Sequence, residues 1–331
     1  MLHTILCDTL GIEHPIINAP MGDRAASAEL ASAVSAAGGF GMIGGSDSQG
    51  RLDQGDWLRD QIRTTRERTD RPFGVGFILS FFAAIPGQED LLQVALQEQV
   101  PAVALSFGDP TPYVTAIHTA GAKALVQVQT VAQATRAARA GADVIAAQGT
   151  DGGGHVGAIG TMSLTPAIVD AVPGVPVVAA GGIVDGRGLA AALLLGAEGV
   201  WLGTRFVASD EWAGEGWRKA GVVEAGTDDT VRTLSYDLAW EEPFPDGIAI
   251  RVVRDAFTDA WHGRDDEVVA NRTQLQEVLR KARTAGEPVG AVLAGSGVGL
   301  VDAVEQAGEI VQRIVAEAES LLRGRPSQVL R

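Results

Sequence analysis

The stretch VIAAQGTDGGGHVG, residues 144–157, decides how this chain folds. Its first four residues are apolar, which predicts a short buried strand. The glycines that follow permit a sharp turn and let the backbone approach a ligand closely. His155 is the only side chain in the second half of this loop that exchanges a proton near neutral pH. These residues alone leave two interpretations open: a ligand-binding loop with a catalytic imidazole, and a plain turn with a structural histidine.

Apolar runs recur on both sides of this stretch. Between residues 15 and 208 they alternate with Ala-rich amphipathic segments, which predicts parallel strands joined by crossover helices. The eight predicted strands are Pro15–Pro20, Gly41–Gly44, Phe73–Leu79, Ala102–Phe107, Lys123–Val128, Val144–Ala147, Val177–Ala180 and Gly199–Leu202. The predicted helices are Ser27–Ala37 (with Ser27 as N-cap), Asp56–Arg68, Glu89–Gln99, Tyr113–Thr119, Val131–Ala140, Pro166–Ala171 and Gly188–Leu195.

A Gly-Ala pair between helix and strand occurs three times, at residues 120–123 (AGAK), 140–143 (AGAD) and 195–198 (LGAE). A glycine at that point suits the left-handed residue that ends a helix, and the residues after it lead into a buried strand. The chain contains eight predicted strands separated by helices, and none of these strands has the polar character of a sheet edge. This pattern predicts an α/β fold of the closed (β/α)₈ type. We therefore expect residues 1–208 to form a TIM barrel.

The pattern changes after residue 208. Residues 209–290 contain many acids, four tryptophans and two predicted helices, Arg251–Trp261 and Glu267–Ala285. We expect this segment to be a mostly helical insertion after the eighth strand that caps the mouth of the barrel. Residues 291–331 are predicted to return as a Gly-rich loop, a helix at Asp302–Leu322 and a frayed end at Gly324–Arg331.

The composition is that of a globular protein and argues against several kinds of partner. The 331 residues are 46% hydrophobic and 20% charged, which is ordinary for a protein with a sizeable core. The formal net charge of −15 disfavours nucleic acid and anionic membranes as partners, because both require a basic surface. The longest apolar run, Phe77–Pro86, is too short to span a bilayer.

The single cysteine, Cys7, cannot form an internal disulfide, and the N-terminus lacks the features of a signal peptide. We therefore predict a cytoplasmic protein in which Cys7 is buried and inert; the sequence is compatible with a homodimer. No metal site is predicted, because His3, His14, His118 and His262 show no metal-ligand spacing with one another or with Cys7.

Polar and Gly-rich segments lie on or just after the carboxyl ends of the predicted strands, at the end of a (β/α)₈ barrel where active sites lie. They are residues 18–21 (NAPM), 44–45 (GG), 127 (Q), 148–155 (QGTDGGGH), 181–182 (GG) and 203–204 (GT). In this fold the loops after strands seven and eight commonly hold a phosphate through backbone N–H groups. Gly181, Gly182, Gly203 and Thr204 are therefore predicted to bind a phosphate group, against the alternative of two tight turns.

Two other Gly-rich segments and one arginine are less informative. Residues 39–44 (GFGMIG) match G-x-G-x-x-G, but they follow a helix and enter a strand, the reverse of the order in a dinucleotide-binding motif. Residues 295–299 (GSGVG) precede a helix, and both a ligand-binding loop and a plain loop remain open. Arg251 heads a predicted helix and is either a solvated cation or a residue that reaches into the mouth.

Taken together, these segments resemble the nitronate monooxygenase family, formerly called 2-nitropropane dioxygenases. The similarity covers nearly the whole chain except residues 209–290, and the block 149–157 together with AAGGI and LGTRF is strongly specific for the superfamily. The matching segments are 18–21 (NAPM), 36–41 (AAGGFG), 107–110 (FGDP), 148–157 (QGTDGGGHVG), 179–183 (AAGGI), 199–206 (GVWLGTRF) and 294–300 (AGSGVGL).

The resemblance implies an FMN-dependent (β/α)₈ enzyme that oxidises alkyl nitronates, such as propionate 3-nitronate, with molecular oxygen and without reduced nicotinamide. His155 would be the base that removes the α-proton of a neutral nitroalkane, or the cation that orients the nitronate anion. The flavin would carry the electron transfer and oxygen chemistry, while the protein supplies position and electrostatics. The residues implied to contact FMN are Ala19, Pro20, Met21, Gly76, Gln127, Gln148, Gly153, Gly154, Gly181, Gly182, Gly203, Thr204 and Ser296.

Three positions depart from the family pattern. Gly76 stands where many members carry Asn, Ser296 stands where relatives often have Gln, and Asp151-Gly152 replaces a Glu-Ala pair. These departures do not affect the interpretation as a flavin enzyme. They concern the substrate, for which the family pattern implies a nitronate.

Two alternative functions stay open beside nitronate oxidation. Relatives that share the Gly-Gly-His loop include flavin-dependent, NAD(P)H-using enoyl-acyl-carrier-protein reductases and quinone reductases, although residues 107–110 (FGDP) resemble the monooxygenases more. The other alternative is a flavin-free (β/α)₈ isomerase or lyase that acts on a phosphorylated substrate, since a fold alone does not fix a function.

Overall fold

A computed structural model describes residues 2–284 and 290–330. Met1, Ala285 and Arg331, which bound three of the predicted segments, lie outside the described residues. The strands are β1 (Ile16–Asn18), β2 (Gly41–Gly44), β3 (Phe73–Ile78), β4 (Ala102–Ser106), β5 (Lys123–Val128), β6 (Val144–Gln148), β7 (Gly154–Val156), β8 (Val177–Ala180), β9 (Gly199–Leu202), β10 (Thr230–Thr233) and β11 (Ala249–Val253).

Helices connect and follow these strands. They are α1 (Ile5–Leu10), α2 (Ala28–Ala36), α3 (Gln54–Arg68), α4 (Leu79–Ala84), α5 (Gln88–Gln97), α6 (Thr111–Thr119), α7 (Val131–Ala140), α8 (Thr161–Ala171), α9 (Gly186–Leu194), α10 (Thr204–Val207), α11 (Gly216–Glu224), α12 (Ser235–Trp240), α13 (Ala256–Trp261), α14 (Asp265–Ala270), α15 (Arg272–Thr284) and α16 (Ala307–Val329), with a 3₁₀ turn at Val298–Leu300 before α16.

Eight of the described strands form one parallel sheet in the order β1-β9-β8-β6-β5-β4-β3-β2. The sheet closes where the chain just before β2 meets β1: the Phe40 N–H donates to the Ile16 carbonyl at 2.8 Å, and Ile17 forms a parallel bridge with Phe40. The predicted (β/α)₈ barrel and all eight of its predicted strands are therefore confirmed, with strand ends shifted by two residues at most.

The interior of the barrel is filled by alternate residues of the strands, while the other residues face the surrounding helices. Ile17, Met42, Leu125 and Trp201 belong to the inward-facing cluster. Helix α1 was not predicted; its Leu6 and Leu10 join the same cluster and close the bottom of the barrel. Cys7 lies there too and is 1% exposed, which confirms that it is buried.

Several helix ends follow the signals in the sequence. Gly121, Gly141 and Gly196 adopt left-handed φ angles of 82°, 98° and 88° at helix C-termini, as the repeated Gly-Ala pairs predict. Asp185 caps α9 by accepting from two backbone N–H groups. Ser27 occupies the N-cap position of α2, but its hydroxyl makes no capping bond.

A second, three-stranded antiparallel sheet lies in the order β10-β11-β7. It joins the insertion after the eighth barrel strand to the Gly-rich loop, because Ala249, Ile250 and Arg251 pair with Val156, His155 and Gly154. The described part of the insertion contains helices α11 to α15, and its two strands were not predicted. The prediction of a helix at Arg251–Trp261 is wrong at its start, where Arg251 lies in β11 and the helix begins only at Ala256.

Further predicted bounds need correction. The helix predicted at Pro166–Ala171 begins earlier, at Thr161, and the helix predicted at Asp302–Leu322 begins later, at Ala307. The helix predicted from Glu267 is two helices, α14 and α15, which meet at Asn271. The end predicted to fray from Gly324 onward is instead helical, because α16 continues through Pro326 to Val329. None of the helices in the described part of the chain combines the length and apolar character needed to cross a bilayer.

A prediction follows from the close packing of α2 against β2. A Cβ atom on Gly41 would overlap the backbone carbonyl of Ala31 in α2, so neither element can accommodate it without moving. We expect Gly41→Ala to lower the free energy of unfolding by about 1–3 kcal/mol or more, measured by urea denaturation. Gly216→Ala is the matched control: it begins α11 with nothing within 4 Å of the new Cβ, so it should be neutral or slightly stabilising. Equal effects of the two substitutions would contradict this account of the packing.

Candidate active site

A cavity of about 740 Å³ lies between the carboxyl ends of the barrel strands and the insertion above them. Its volume is within the range of small-molecule and cofactor sites. Predicted site residues that line it are Ala19, Met21, Gln127, Gln148, Gly153, His155, Gly181, Gly182, Gly203 and Thr204. The structure therefore brings together residues that are far apart in the sequence.

Four predicted contact residues lie beside the cavity rather than on its wall. A Cβ on Gly76 would overlap the ring of Pro20, so an Asn at this position would require that proline to move. Gly154 pairs with Arg251 in the second sheet. Ser296 lies behind the glycine loop, where its N–H donates to the Asp151 carbonyl at 2.9 Å.

His155 is held at the cavity by two kinds of contact. Its backbone pairs with Ile250 across β7 and β11, and its Nε2 lies 2.8 Å from the Asp237 Oδ1 of α12. An ionised carboxylate only accepts, so Nε2 carries a proton and donates to Asp237. Nδ1 has no partner among the described residues. This tautomer leaves the lone pair of Nδ1 available to accept a proton.

Aromatic rings enclose the imidazole. Phe244 stacks on His155 with ring centroids 3.3 Å apart and planes 13° from parallel. Phe107 meets Phe244 edge-on at 5.2 Å and adopts a left-handed φ of 56°, a conformation that costs energy for a bulky residue and often marks a functional site. One face of the imidazole is therefore shielded from water.

The insertion adds three carboxyl groups to the cavity wall, those of Glu215, Asp237 and Glu242, and Glu215 faces Arg218 at 3.2 Å. Asp237 is buried, and its Oδ2 has no hydrogen-bond partner in the described chain, so His155 provides its one polar side-chain contact. Burial, and after it the negative charges of Asp237 and Asp23, raise the pKa of Glu242 to about 7. Asp237 and Glu242 thus have different environments on the wall of the cavity that His155 also lines, and perturbed acidic groups of this kind are common at catalytic sites.

Three glutamines form a network at the base of the cavity. Gln127 and Gln129 both donate an Nε2 hydrogen to Gln148 Oε1, at 2.7 and 2.9 Å. Gln148 Oε1 is thereby saturated, while its own NH₂ group and the Gln127 oxygen stay available to a ligand. The network can therefore present both donors and acceptors to a planar ring.

The predicted phosphate-binding segments lie side by side. Gly181 and Gly182 have left-handed φ angles of 106° and 72°, while Thr204 opens α10 and its hydroxyl accepts from the Gly295 N–H at 3.0 Å. Among the described residues, no protein acceptor is bonded to the backbone N–H groups of Gly182 and Thr204. Unpaired backbone amides, of which that of Thr204 lies at a helix start, suit an anion.

Arg251, left open by the sequence, lies on the face of β11 opposite the cavity-lining Ile250. Its Nε donates to the Thr150 carbonyl at 2.9 Å, so it contacts the outside of the glycine loop.

Sequence reasoning missed Asp237, Glu242, Phe244 and Gln129. The first three belong to the insertion, where no motif marks them, and Asp237 follows His155 by 82 residues. Gln129 could have been found, because it follows Gln127 at the spacing that returns to the same face of a strand.

The chain matches the family model described as nitronate monooxygenase over residues 3–90 and 80–317. It is 35% identical to the nitronate monooxygenase of Neurospora crassa over 93% of this chain and 90% of that protein. It is 37% identical to the (3aS,4S,5R,7aS)-5-hydroxy-7a-methyl-1-oxo-octahydro-1H-indene-4-carboxyl-CoA dehydrogenase of Mycobacterium tuberculosis, over 71% of this chain but only 64% of that protein.

Solved structures agree with the fold. FabK from Thermotoga maritima superposes with a TM-score of 0.85 at 35% identity, covering 99% of this chain and 100% of that one. The nitroalkane oxidase of Streptomyces ansochromogenes superposes with a TM-score of 0.81 at 28% identity, covering 97% and 99%.

A pH dependence is predicted from Glu242. Its pKa of about 7 in the folded protein exceeds the value near 4.3 of a free glutamate. Between these two pH values Glu242 is protonated in the folded state and ionised in the unfolded state. The free energy of unfolding therefore falls as the pH rises, and the whole of this loss is present above pH 7. Glu242→Gln removes the effect. The free energy of unfolding of Glu242→Gln minus that of the wild type should therefore increase by about 1–3 kcal/mol when the pH is raised from 5 to 8.5.

The measurement is urea denaturation at both pH values, with Glu224→Gln as control because Glu224 is exposed in α11. A difference between Glu242→Gln and the wild type that does not change with pH would remove the assignment.

Proposed function

Because the chain belongs to the nitronate monooxygenase family, an oxidoreductase family, we propose that it oxidises alkyl nitronates with a bound FMN and molecular oxygen. The observation that carries this proposal is the His155–Asp237 pair at the cavity wall, 2.8 Å apart, with Nδ1 of His155 uncommitted. A positioned imidazole with one free nitrogen can act as a general base.

The residues of the cavity fit a flavin mononucleotide. The unbonded N–H groups of Gly182 and Thr204 would hold its phosphate. Ala19, Met21, Gln127 and Gln148 would border its ring, and Gly153 would let the glycine loop approach it. When bound, the flavin supplies the electron transfer and the reaction with oxygen, chemistry that no side chain of this cavity can perform.

The protein's own part is to move and hold one proton. With a neutral nitroalkane, Nδ1 of His155 accepts the α-proton while Nε2–H stays bonded to Asp237. The imidazolium so formed faces a carboxylate on one side and the new nitronate anion on the other, which stabilises both charges. With a preformed nitronate no proton must be removed, and the same histidine only orients the anion.

The aromatic rings contribute by excluding water. Phe244 covers one face of the imidazole and packs edge-on against Phe81 and Phe107, at centroid distances of 5.6 and 5.2 Å. Water therefore has little access to the imidazole from the side that Phe244 covers. Charge interactions are stronger in such a shielded site than in water.

A second function is favoured by one comparison. The 35% identity to FabK along almost the whole chain favours an NAD(P)H-using flavin reductase of the enoyl-acyl-carrier-protein or quinone type, with His155 as a proton donor. A flavin-free isomerase or lyase is disfavoured by membership of an oxidoreductase family. The cytoplasmic location and a homodimer stay predictions from the sequence.

The decisive experiment is anaerobic. We expect the bound flavin to lose its visible absorbance on addition of propionate 3-nitronate or ethylnitronate, because the nitronate donates electrons directly, and to keep it on addition of NADH or NADPH. Stopped-flow absorbance under argon measures both. Bleaching by a nicotinamide alone would establish the reductase instead.

His155→Ala separates the roles of the imidazole. We expect the variant to retain its flavin and to lose about 10²–10⁴-fold in kcat/KM with a neutral nitroalkane, because the general base is gone. With the corresponding preformed nitronate the loss should be several times smaller. Oxygen consumption with nitroethane and ethylnitronate measures the two reactions, and equal losses on both would rule out the base assignment.

Asp237→Asn is the companion variant. It keeps the shape but lacks the charge that fixes the tautomer, so about 10–100-fold should be lost with nitroethane. Asp229→Asn, on an exposed carboxylate of the same insertion, is the control and should keep wild-type rates.

A further inference from the structure

The active-site cavity continues past His155 into the insertion. Ile250 is the register partner of His155 across β7 and β11, so the two side chains lie on the same face of the second sheet, and both line the cavity. Tyr236 directly precedes Asp237 in α12, and Trp240 follows one helical turn later on the same side of that helix. Both aromatic rings also line the cavity. The cavity therefore extends from the imidazole along β11 and α12.

This extension, which we call the apolar arm, is lined by apolar side chains. They are Tyr236, Trp240, Ile250, Leu279, Ala291 and Leu293. Tyr236 and Ile250 belong to one hydrophobic cluster, and Trp240 and Ala291 pack against it. The polar end of Tyr236 is already satisfied, because its hydroxyl donates to Asp255 Oδ2. Leu293 is 41% exposed, so the arm reaches the protein surface at this residue.

Two further segments enclose the arm. Helix α15 is tied to α12, because Gln276 Nε2 donates to the Ala239 carbonyl at 2.9 Å. Leu279 follows Gln276 by about one turn, and the guanidinium of the next residue, Arg280, lies over the Trp240 ring at 5.7 Å. Residues 291–293 run beside β11, where the Val253 N–H donates to the Val292 carbonyl at 2.9 Å and Leu293 forms a bridge with Val252.

The groups assigned to the flavin and to proton transfer lie outside the arm. The proposed flavin contacts belong to the barrel strands and the loops after them, whereas the arm is built from the insertion and the segment that follows it. The two arginines on the cavity wall, Arg51 and Arg218, already face carboxylates. Apolar surface that borders a ligand cavity is stabilised when an apolar group of the ligand covers it. The arm is therefore suited to hydrocarbon rather than to a charged or polar group.

We propose that the apolar arm binds the hydrocarbon chain of the substrate, so that the preferred substrate is a nitroalkane or nitronate with an extended aliphatic chain rather than a two-carbon compound. The inference rests on the proposed function, because a nitro group beside His155 defines which end of the substrate enters the arm. Each methylene group that leaves water for the arm then adds to the affinity.

The first test measures binding without turnover. Linear carboxylates from acetate to octanoate are the probes, because a carboxylate has the same planar pair of oxygens as a nitronate and carries no nitro group to oxidise. Calorimetry on the flavin-loaded protein at pH 6, where Glu242 is largely protonated, should show a Kd that falls about two- to fourfold per methylene from butanoate to octanoate. A Kd that does not fall with chain length, or no binding of octanoate, would overturn the proposal.

A substitution in the arm tests its position. Ala291→Phe adds a ring to the half-buried wall and should reduce the preference for octanoate over butanoate by about tenfold. Ala270→Phe is the matched control, because Ala270 is exposed in α14 and does not line the cavity; it should keep the wild-type preference. The absorbance of bound flavin checks that both variants are folded. An unchanged preference in a flavin-loaded Ala291→Phe variant would also overturn the proposal.

Turnover separates this inference from the proposed function. We expect kcat/KM to rise from nitroethane to 1-nitrohexane by about the same factor per methylene. If octanoate binds as expected but no nitroalkane or nitronate is oxidised, the arm is established and the nitronate function is wrong. If all nitroalkanes are oxidised at rates that do not depend on chain length, the function stands and the arm is wrong.

Discussion

The pairing of β7 with β11 is the constraint on which the site depends. A loop with three consecutive glycines loses much conformational entropy when it is ordered, and nothing in the loop itself fixes the direction of an imidazole. The antiparallel ladder from Gly154 to Val156 provides the backbone restraint, and Asp237 provides the side-chain restraint at Nε2. The catalytic candidate is thus carried by the barrel but oriented by the insertion.

The backbone that lines the cavity depends in turn on how closely the Gly-rich loop after β6 approaches the loop at residues 294–297. A Cβ on Gly153 would come within 2.6 Å of the Ala294 carbonyl carbon, and one on Gly295 within 2.5 Å of the Asp151 oxygen. Backbone therefore packs directly on backbone, which leaves amide groups rather than side chains to face an anion. The C-terminal segment is held in place by Arg205, which is 2% exposed and lies 2.7 Å from Glu305.

The sequence predicted the barrel well because its strands are buried on both faces. Runs such as Lys123–Val128 and Val177–Ala180 are apolar enough to be identified without their partners, and both are confirmed to the residue. The prediction for the region around Arg251 was wrong for the opposite reason. A five-residue strand with one buried face is stabilised by cross-strand contacts. Those contacts come from β7, about a hundred residues earlier, and no local pattern reveals them. Asp237 and Phe244 were missed for the same reason, since their importance lies in contacts with His155.

The charges in the cavity bear on the choice between the two flavin functions. Arg51 and Arg218 line the cavity, but each already faces a carboxylate, at 2.8 and 3.2 Å. Of the remaining described side chains on the wall, His155 is the group that can offer positive charge to an anion. Once it has accepted a proton, its pair with Asp237 is neutral overall, and Glu242 adds no further negative charge below pH 7. An anion in this cavity is therefore best accommodated beside a protonated His155, whether the proton comes from solvent or from the substrate itself.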